Sequence, residues 1–420
     1  MSTMRKLLFL VLDGAADDPS NSPTPYMAAN KPGLDALAKS SIMGMHYPIG
    51  KGIAPESDAA VMSILGYDPD KYYTGRGPLE ALGAGYKIRD NYEVAFRANF
   101  ATIDSSRNII DRRVGRNLTS EEAAELARAV DGMELGGGEG YARVIPTIGH
   151  RAVVIIGSQN KLSGFVSNND PGYVRQGKIS VAVPNPGTKL PLIEALDSSE
   201  EARRTARLAN EFMEKAIQVL ANHEVNKKRA GEGKLPGNVI LMRDAGHEVP
   251  HVKPIREVFG LSFGAVTEMP VERGIAIALG MDSAPVSKYI GSKDEILMER
   301  LDATMQLLKR VDVAYVHLKG PDEPGHDGDF KRKVAEIEAI DKYYIQRLSL
   351  NDTAILVTSD HATPWKLKSH SGDPVPFMLS AGTASDGFSS FNEVNASRGS
   401  LGIVEHGWLL LPLVLKRLSP

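Results

Sequence analysis

The sequence predicts an α/β fold organised on a mainly parallel sheet. Two observations carry that expectation: short apolar runs that stop abruptly at a polar or glycine-containing turn, and helical patterns that alternate with them. The runs are Leu7–Leu12, Val239–Met242, Val311–Leu318, Thr353–Thr358 and Pro376–Leu379. Each is short and rich in Val, Leu or Ile, as expected of strands buried on both faces.

Taken in order, the elements read as follows. Met4-Arg5-Lys6 before Leu7–Leu12 resembles the start of a secretion signal. The apolar core is too short for one, and it breaks at Asp13 with no small-residue cleavage site, so it reads as a strand. Thr119-Ser120-Glu121-Glu122 is a capping box that opens a helix to about Val130. Ser198-Ser199-Glu200-Glu201 opens a longer helix, to about His223. Asn185–Lys189, with Pro and Gly, reads as a loop, and so does the polar, basic stretch Glu224–Gly237. Phe330–Leu348 is amphipathic and helical. The run Trp408–Leu415 is too short to span a bilayer and contains Pro412. A soluble cytoplasmic protein is the expectation.

The 420 residues suggest two or three domains, at about 150 residues each. The 49 basic and 52 acidic residues nearly cancel, to −3, so no nucleic-acid-binding face is indicated. Any anion site must be a local cluster of Arg or Lys. The absence of cysteine excludes a disulfide scaffold, a thiol nucleophile and thiolate metal sites. A metal would be held by His, carboxylate or hydroxyl.

Chemistry gathers where three strands end. Leu7–Leu12 runs into Asp13-Gly14, Val311–Leu318 into Lys319 through His326, and Thr353–Thr358 into Ser359-Asp360-His361. Ligands of an open parallel sheet bind beyond the carboxyl ends of its strands. If the three strands are neighbours, Asp13, Asp322, His326, Asp360 and His361 converge there, and His370 follows closely in sequence. Singly, each Asp reads as a cap or turn residue and each His as a structural one. Together, three carboxylates and three imidazoles call for cations. Six ligands exceed what one metal usually takes from protein, which points to two. His317 lies inside its apolar run and is expected to point into the core.

Ser57, in Pro55-Glu56-Ser57-Asp58, opens an apolar helical run. It reads either as a helix cap or as a nucleophile in the first turn, where free N–H groups bind anions. Asp111-Arg112-Arg113-Val114-Gly115-Arg116 holds three arginines, and Arg97, Arg151, Arg243 and Arg273 lie near strand ends or Gly turns. Such guanidinium groups suit phosphate and carboxylate, although any one alone reads as a solvated charge. Asn168-Asn169-Asp170-Pro171-Gly172 reads as a turn.

These stretches, with Leu65-Gly66-Tyr67-Asp68-Pro69, Gly75-Arg76-Gly77-Pro78-Leu79-Glu80-Ala81, Pro321-Asp322 to His326-Asp327-Gly328 and His370-Ser371-Gly372-Asp373-Pro374, resemble one family along nearly the whole chain. It is that of the archaeal-type, cofactor-independent phosphoglycerate mutases of the alkaline phosphatase superfamily. The resemblance implies an alkaline-phosphatase-like mainly parallel sheet with helices on both faces. It also implies a smaller inserted α/β domain, placed at 91–270 between metal-binding parts 1–90 and 271–420.

By the matching motifs, Asp322, His326 and His370 would hold one metal. Asp13, Ser57, Asp360 and His361 would hold the other. The metals would be Mn first, with Mg, Co or Zn as alternatives, and no 2,3-bisphosphoglycerate would be needed. Ser57 would take the phosphoryl group of 3-phosphoglycerate and return it to the other hydroxyl, giving 2-phosphoglycerate. Arg97, Arg112, Arg116, Arg151 and Arg243 would grip the substrate's carboxylate and phosphate across the cleft, with Asp111 orienting Arg or the glycerate hydroxyls. Arg273 and Lys319 would neutralise charge near the hinge. Against the family pattern, 155–163 lacks an expected Arg and Asn168-Asn169-Asp170 is less acidic. The partner expected is a small phosphoglycerate, with no nucleic acid and no membrane; the oligomeric state is left open. A phosphatase or phosphopentomutase of the same superfamily would use the same metal set. A non-catalytic binding paralogue is disfavoured, because Ser57 and the metal histidines are all present.

Overall fold

The first apolar run lies in the middle of a sheet. In the computed structural model, which describes residues 5–418 except 184, 185, 285, 287–290, 351 and 383, Lys6–Leu12 pairs in parallel with Val313–Leu318 on one side and Thr353–Thr358 on the other. Leu7 to Leu12 are fully buried, which explains the unbroken apolar pattern. The eight strands run Asp282–Ser283, Phe263–Val266, Val313–Leu318, Lys6–Leu12, Thr353–Thr358, Val375–Ser380, Ser41–His46 and Ile403–Val404. The first five are mutually parallel. Val375–Ser380 is antiparallel to both of its neighbours, so this predicted strand departs from the parallel pattern. Register places Leu12 beside Leu318 and Val11 beside Thr358, so three segments distant in sequence leave the sheet at one edge.

The chain divides into two compact units. Residues up to Tyr73 and from Val252 onward form the first; Thr74–His251 form the second. These bounds differ from the expected divisions at 90/91 and 270/271. The helix Arg76–Gly83 packs on strands Glu93–Ile103 and Val239–Gly246, which draws it into the second unit. Phe263–Val266 is a strand of the large sheet, which draws its segment into the first.

Buried polar groups brace the loops at the sheet edge. Lys333, within the helix Phe330–Tyr343, donates from Nζ to Ala16 O (3.1 Å), Thr363 O (2.6 Å) and Asp17 Oδ2 (3.1 Å). It thereby ties the segment after Leu12 to the one after Thr358. Glu393 accepts from Thr24 Oγ1 (2.7 Å) and Asp17 N (3.1 Å), and burial pushes its carboxyl up to about 7. Between the ordinary value of 4.5 and about 7 the folded protein keeps a proton that the unfolded chain has released. Stability therefore falls as pH rises through that window and is level above it. The loss between about pH 5 and about pH 8 is about 2–3 kcal/mol. Glu393→Gln, which stays neutral, is expected to remove it. Thermal melts at the two pH values check this; an unaltered pH slope in the variant would contradict it.

The second unit is an antiparallel sheet. Its strands run Val239–Gly246, Glu93–Ile103, Arg151–Ser158, Gly140–Pro146 and Glu134–Leu135, with Ile109–Asp111 paired to Glu93–Ile103. Val239–Met242, predicted as a strand of the parallel sheet, belongs here instead. One face packs Phe96, Ala98, Phe100, Val154 and Ile156 against the helices Ser120–Val130 and Glu200–Ala221. Thr119 and Glu122 form the predicted capping box of the first helix. The second starts after the capping residue Ser199.

Glu224–Gly231 is a helix rather than part of a loop. His223 caps it, and Arg229 is buried, donating to Leu235 O (2.9 Å), Glu122 Oε2 (2.7 Å) and Asn117 Oδ1. Arg229 turned inward onto a carboxylate, with buried Val225 and Asn226, anchors a stretch whose composition reads as solvated. Likewise the helix from Phe330 ends at Tyr343, and a short 3-10 turn at Ile345–Arg347 replaces its predicted end. The loop expected at Asn185–Lys189 falls partly outside the described residues.

Candidate active site

The loops that follow the three central strands bring their polar residues together within the first unit. Asp13 follows Leu12 directly, and its N–H bonds to Leu318 O (3.0 Å). Gly14 N and His361 N both donate to Asp360 Oδ1 (3.1 Å each), which fixes that carboxylate. His361 Nε2 lies 3.5 Å from Asp13 Oδ1, 3.3 Å from Asp360 Oδ2 and 3.2 Å from Ser57 Oγ. Ser57 is the first residue of the helix Ser57–Ile64, whose N-cap is Glu56. Of the two readings of Ser57, the first-turn position is the one observed. Asp58 behind it is buried and accepts from Ala59 N (3.0 Å) and the Tyr73 hydroxyl.

A second group surrounds Asp322. His326 Nε2 is 3.5 Å and His370 Nε2 is 3.4 Å from Asp322 Oδ1, and the two nitrogens are 3.1 Å apart. His326, four residues on, returns to Asp322 because both lie on the short helix Asp322–Asp327. Thr363 Oγ1 donates to Asp322 Oδ1 (2.8 Å) and lies 3.0 Å from His361 Nδ1, linking the two groups. His361 and His370 stack, with ring centroids 3.8 Å apart. His370 Nδ1 is 2.7 Å from Pro55 O, which orients the ring.

Two sets of donor atoms converge closely enough for a cation: Asp322, His361 and His370, and Asp13, His317 and Asp360, each within 4.8 Å of one another. His361 thus borders both sets. The residues fit divalent ions. Asp13 Oδ1, Asp360 Oδ2 and His317 Nε2 are buried with no hydrogen-bond partner, an arrangement costly without a charge to satisfy it. Burial pushes the Asp360 carboxyl up, even beside His361. Burial also opposes ionisation of Asp13, but Lys319, first among its partners, holds that group well below the usual carboxylate range.

His317 is buried, as its apolar run suggests. Its ring nevertheless reaches the site rather than only the core: Nε2 is 3.5 Å from both Asp13 Oδ1 and Asp360 Oδ2. Lys319 Nζ sits 3.1 Å from Asp13 Oδ2 and 2.7 Å from Glu272 Oε1. Glu272, unremarked in the sequence, is buried on the helix Pro270–Ala278. Arg273, next to it, belongs to the first unit and is exposed.

A family model described as 2,3-bisphosphoglycerate-independent phosphoglycerate mutase matches residues 38–226. A protein of that name from Aeropyrum pernix is 46% identical over 424 residues, covering 99% of this chain and all of that one. The chain belongs to this mutase family. Two solved structures are similar over 99% of its length. The PH0037 protein of Pyrococcus horikoshii has a TM-score of 0.77 at 29% identity, with 98% of that chain covered. The cofactor-independent phosphoglycerate mutase of Thermoplasma acidophilum has a TM-score of 0.62 at 32% identity, with all of that chain covered.

This member of the mutase family carries three of the expected arginines on one face of the second unit's sheet. Arg243 pairs with Arg97 across two strands, and Arg151 lies opposite Asn99. Strand alternation puts Arg97, Arg151 and Arg243 on the same side, opposite the helix-covered core. The helix Arg76–Gly83 packs on that side and adds Arg76 and Glu80. Glu80 Oε1 accepts from Arg76 Nε (2.7 Å) and lies 3.5 Å from Arg97 Nε. Burial pushes the Arg97 guanidinium down to about 10, with Arg243 and Arg76 adding repulsion. Such crowding of cations suits an anion.

Arg112 is held by two hydrogen bonds of 2.7 Å to Asp170, and a Cβ on Gly172 would come within 2.2 Å of its guanidinium carbon. The segment read as a turn thus anchors an arginine. Arg243 stacks 3.5 Å from the centroid of Tyr173. Arg116 is exposed, in a left-handed turn with Val114 and Gly115. Asp111 Oδ1 accepts the N–H groups of Arg113 (2.7 Å) and Gly115 (3.0 Å), which shapes that turn. Arg76, Glu80, Asp170 and Glu272 are not among the residues the sequence assigns to the site; the motif around Arg76 and Glu80 and the departure at Asn168-Asn169-Asp170 carry a signal, and Glu272 carries none. Among the described residues no helix is long and apolar enough to cross a membrane.

Proposed function

We propose that the chain is an intramolecular phosphotransferase that interconverts 3-phosphoglycerate and 2-phosphoglycerate through a phosphoserine on Ser57, without 2,3-bisphosphoglycerate. The observation that carries this reading is the Ser57 hydroxyl, 3.2 Å from His361 Nε2 and beside the buried Asp13–Asp360 pair. Asp322, His326 and His370 would hold one divalent cation, and Asp13, Ser57, Asp360 and His361 the other. The family resemblance favours Mn, with Mg, Co or Zn as alternatives, and oxygen and nitrogen donors without sulfur accept any of them. When bound, such ions supply positive charge beside the hydroxyl and the transferring phosphoryl group.

The chain's own residues do the rest. Ser57 Oγ forms a bond to phosphorus while the ester bond to glycerate breaks. The proton given up by the serine hydroxyl is balanced by one taken up at the departing alkoxide. Glycerate then turns, its other hydroxyl attacks the phosphoserine, and the P–Oγ bond breaks as Ser57 regains a proton. The helix from Ser57 presents its first-turn N–H groups toward the transferring anion. Arg97, Arg112, Arg116, Arg151 and Arg243 are assigned to the substrate's carboxylate and phosphate, with Glu80 and Asp170 keeping neighbouring guanidinium groups in place. Lys319 neutralises Asp13.

A chelator-stripped sample is expected to show no turnover in an enolase-coupled assay lacking bisphosphoglycerate. Mn, Co, Mg or Zn, added in turn, should restore it. Silence under all four metals would overturn the proposal.

A further inference from the structure

We infer that His317 is a direct ligand of the cation beside Asp13 and Asp360, so that this ion takes a nitrogen from within the sheet as well as one from His361. The inference rests on the two-ion reading above and adds a residue to it.

Position comes first. His317 is the penultimate residue of the strand Val313–Leu318, paired in register with Val11, two residues before Asp13. Its side chain is fully buried at the rim from which the site loops depart. Nε2 is 3.5 Å from Asp13 Oδ1 and 3.5 Å from Asp360 Oδ2. That is too long for a hydrogen bond to either oxygen. It is the spacing of donors around a shared ion: two bonds of about 2.1 Å at an angle of about 100–120° set donors about 3.2–3.6 Å apart. His361 Nε2 stands at 3.5 and 3.3 Å from the same two oxygens.

Polar accounting points the same way. Nε2 and both carboxylate oxygens are buried, and none has a hydrogen-bond partner. The other ring nitrogen, Nδ1, is 3.2 Å from the Tyr315 hydroxyl. A proton on Nδ1, given to that oxygen, leaves the Nε2 lone pair facing Asp13 and Asp360, the tautomer a metal ligand needs. The alternative is an imidazolium paired with the carboxylates. It fits less well, because Lys319 Nζ already lies 3.1 Å from Asp13 and a single N–H would close on one oxygen, not stand equally far from two.

The test is calorimetric titration of the metal-stripped full-length protein with Mn(II), joined to anomalous diffraction from crystals of the loaded protein. Two ions are expected, with His317 Nε2 at bonding distance, about 2.2 Å, from the one between Asp13 and Asp360. His317→Gln should leave the Asp322 site unaltered and weaken this one more than ~100-fold, beyond the loss typical of a residue that only orients a ligand. Two ions with Nε2 more than about 3 Å away, or a smaller loss in the variant, would overturn the ligand assignment alone. Absence of both ions would overturn the two-ion reading and this one with it. Should the variant not fold, diffraction from the unaltered protein decides.

Discussion

Ser57→Ala is expected to lower mutase turnover by about 10⁴- to 10⁶-fold, the scale on which a covalent nucleophile is lost. The variant should fold as the parent does. Glu56, not Ser57, is the helix N-cap, and alanine is well tolerated in a first helical turn. The hydroxyl's hydrogen bond is to His361 Nε2, so its removal leaves the helix intact. Parent protein incubated with radiolabelled phosphoglycerate should carry label after rapid acid quench, whereas the variant should carry none. Turnover retained in the alanine variant, or label bound to it, would place the phosphoryl acceptor elsewhere.

The second large effect concerns a residue with no side chain. Gly14 adopts a left-handed φ of +57°. A Cβ there would stand 2.7 Å from Asp322 Oδ1, 2.7 Å from Thr363 Oγ1 and 2.8 Å from Asp322 Cβ. Its N–H meanwhile holds Asp360. Gly14→Ala therefore combines about 1–2 kcal/mol of backbone strain with displacement of a carboxylate in the candidate metal centre. Because catalytic groups tolerate errors of only about 0.5 Å, turnover is expected to fall ~100-fold at saturating Mn, with weaker binding of the ion beside Asp322. Steady-state assay and calorimetric titration check both. Parental kcat and affinity in this variant would mean that the loop yields without disturbing Asp322.

What the sequence made legible follows from periodicity. Leu7–Leu12, Val313–Leu318 and Thr353–Thr358 are buried on both faces, so their apolar runs stand out and their ends mark one edge. The meeting of Asp13, Asp322, Asp360 and His361 could be anticipated from those ends. The arginine face was harder to read. Arg97, Arg151 and Arg243 become neighbours only through antiparallel register, and Glu80 joins them from a helix packed on the sheet. Composition hides Arg229 too, since a buried guanidinium looks like a solvated one until its partners Glu122 and Asn117 are known. For His317 the surrounding apolar run suggests a core position. The residue is buried, but its ring reaches Asp13 and Asp360 at the end of the sheet, where core and site are the same place. The divisions at 73/74 and 251/252 depend on which sheet a segment joins, a tertiary fact.

The order in which strands are synthesised has a cost in time. Lys6–Leu12 needs Val313–Leu318 and Thr353–Thr358 as its two neighbours, yet about 300 residues separate it from the nearer one in sequence. At about 5–20 residues per second on the ribosome, that strand, apolar from Leu7 onward, waits roughly 15–60 s without either hydrogen-bonded neighbour. Nascent chains stalled before Val313 should accordingly be the aggregation-prone ones, and the best customers of a chaperone.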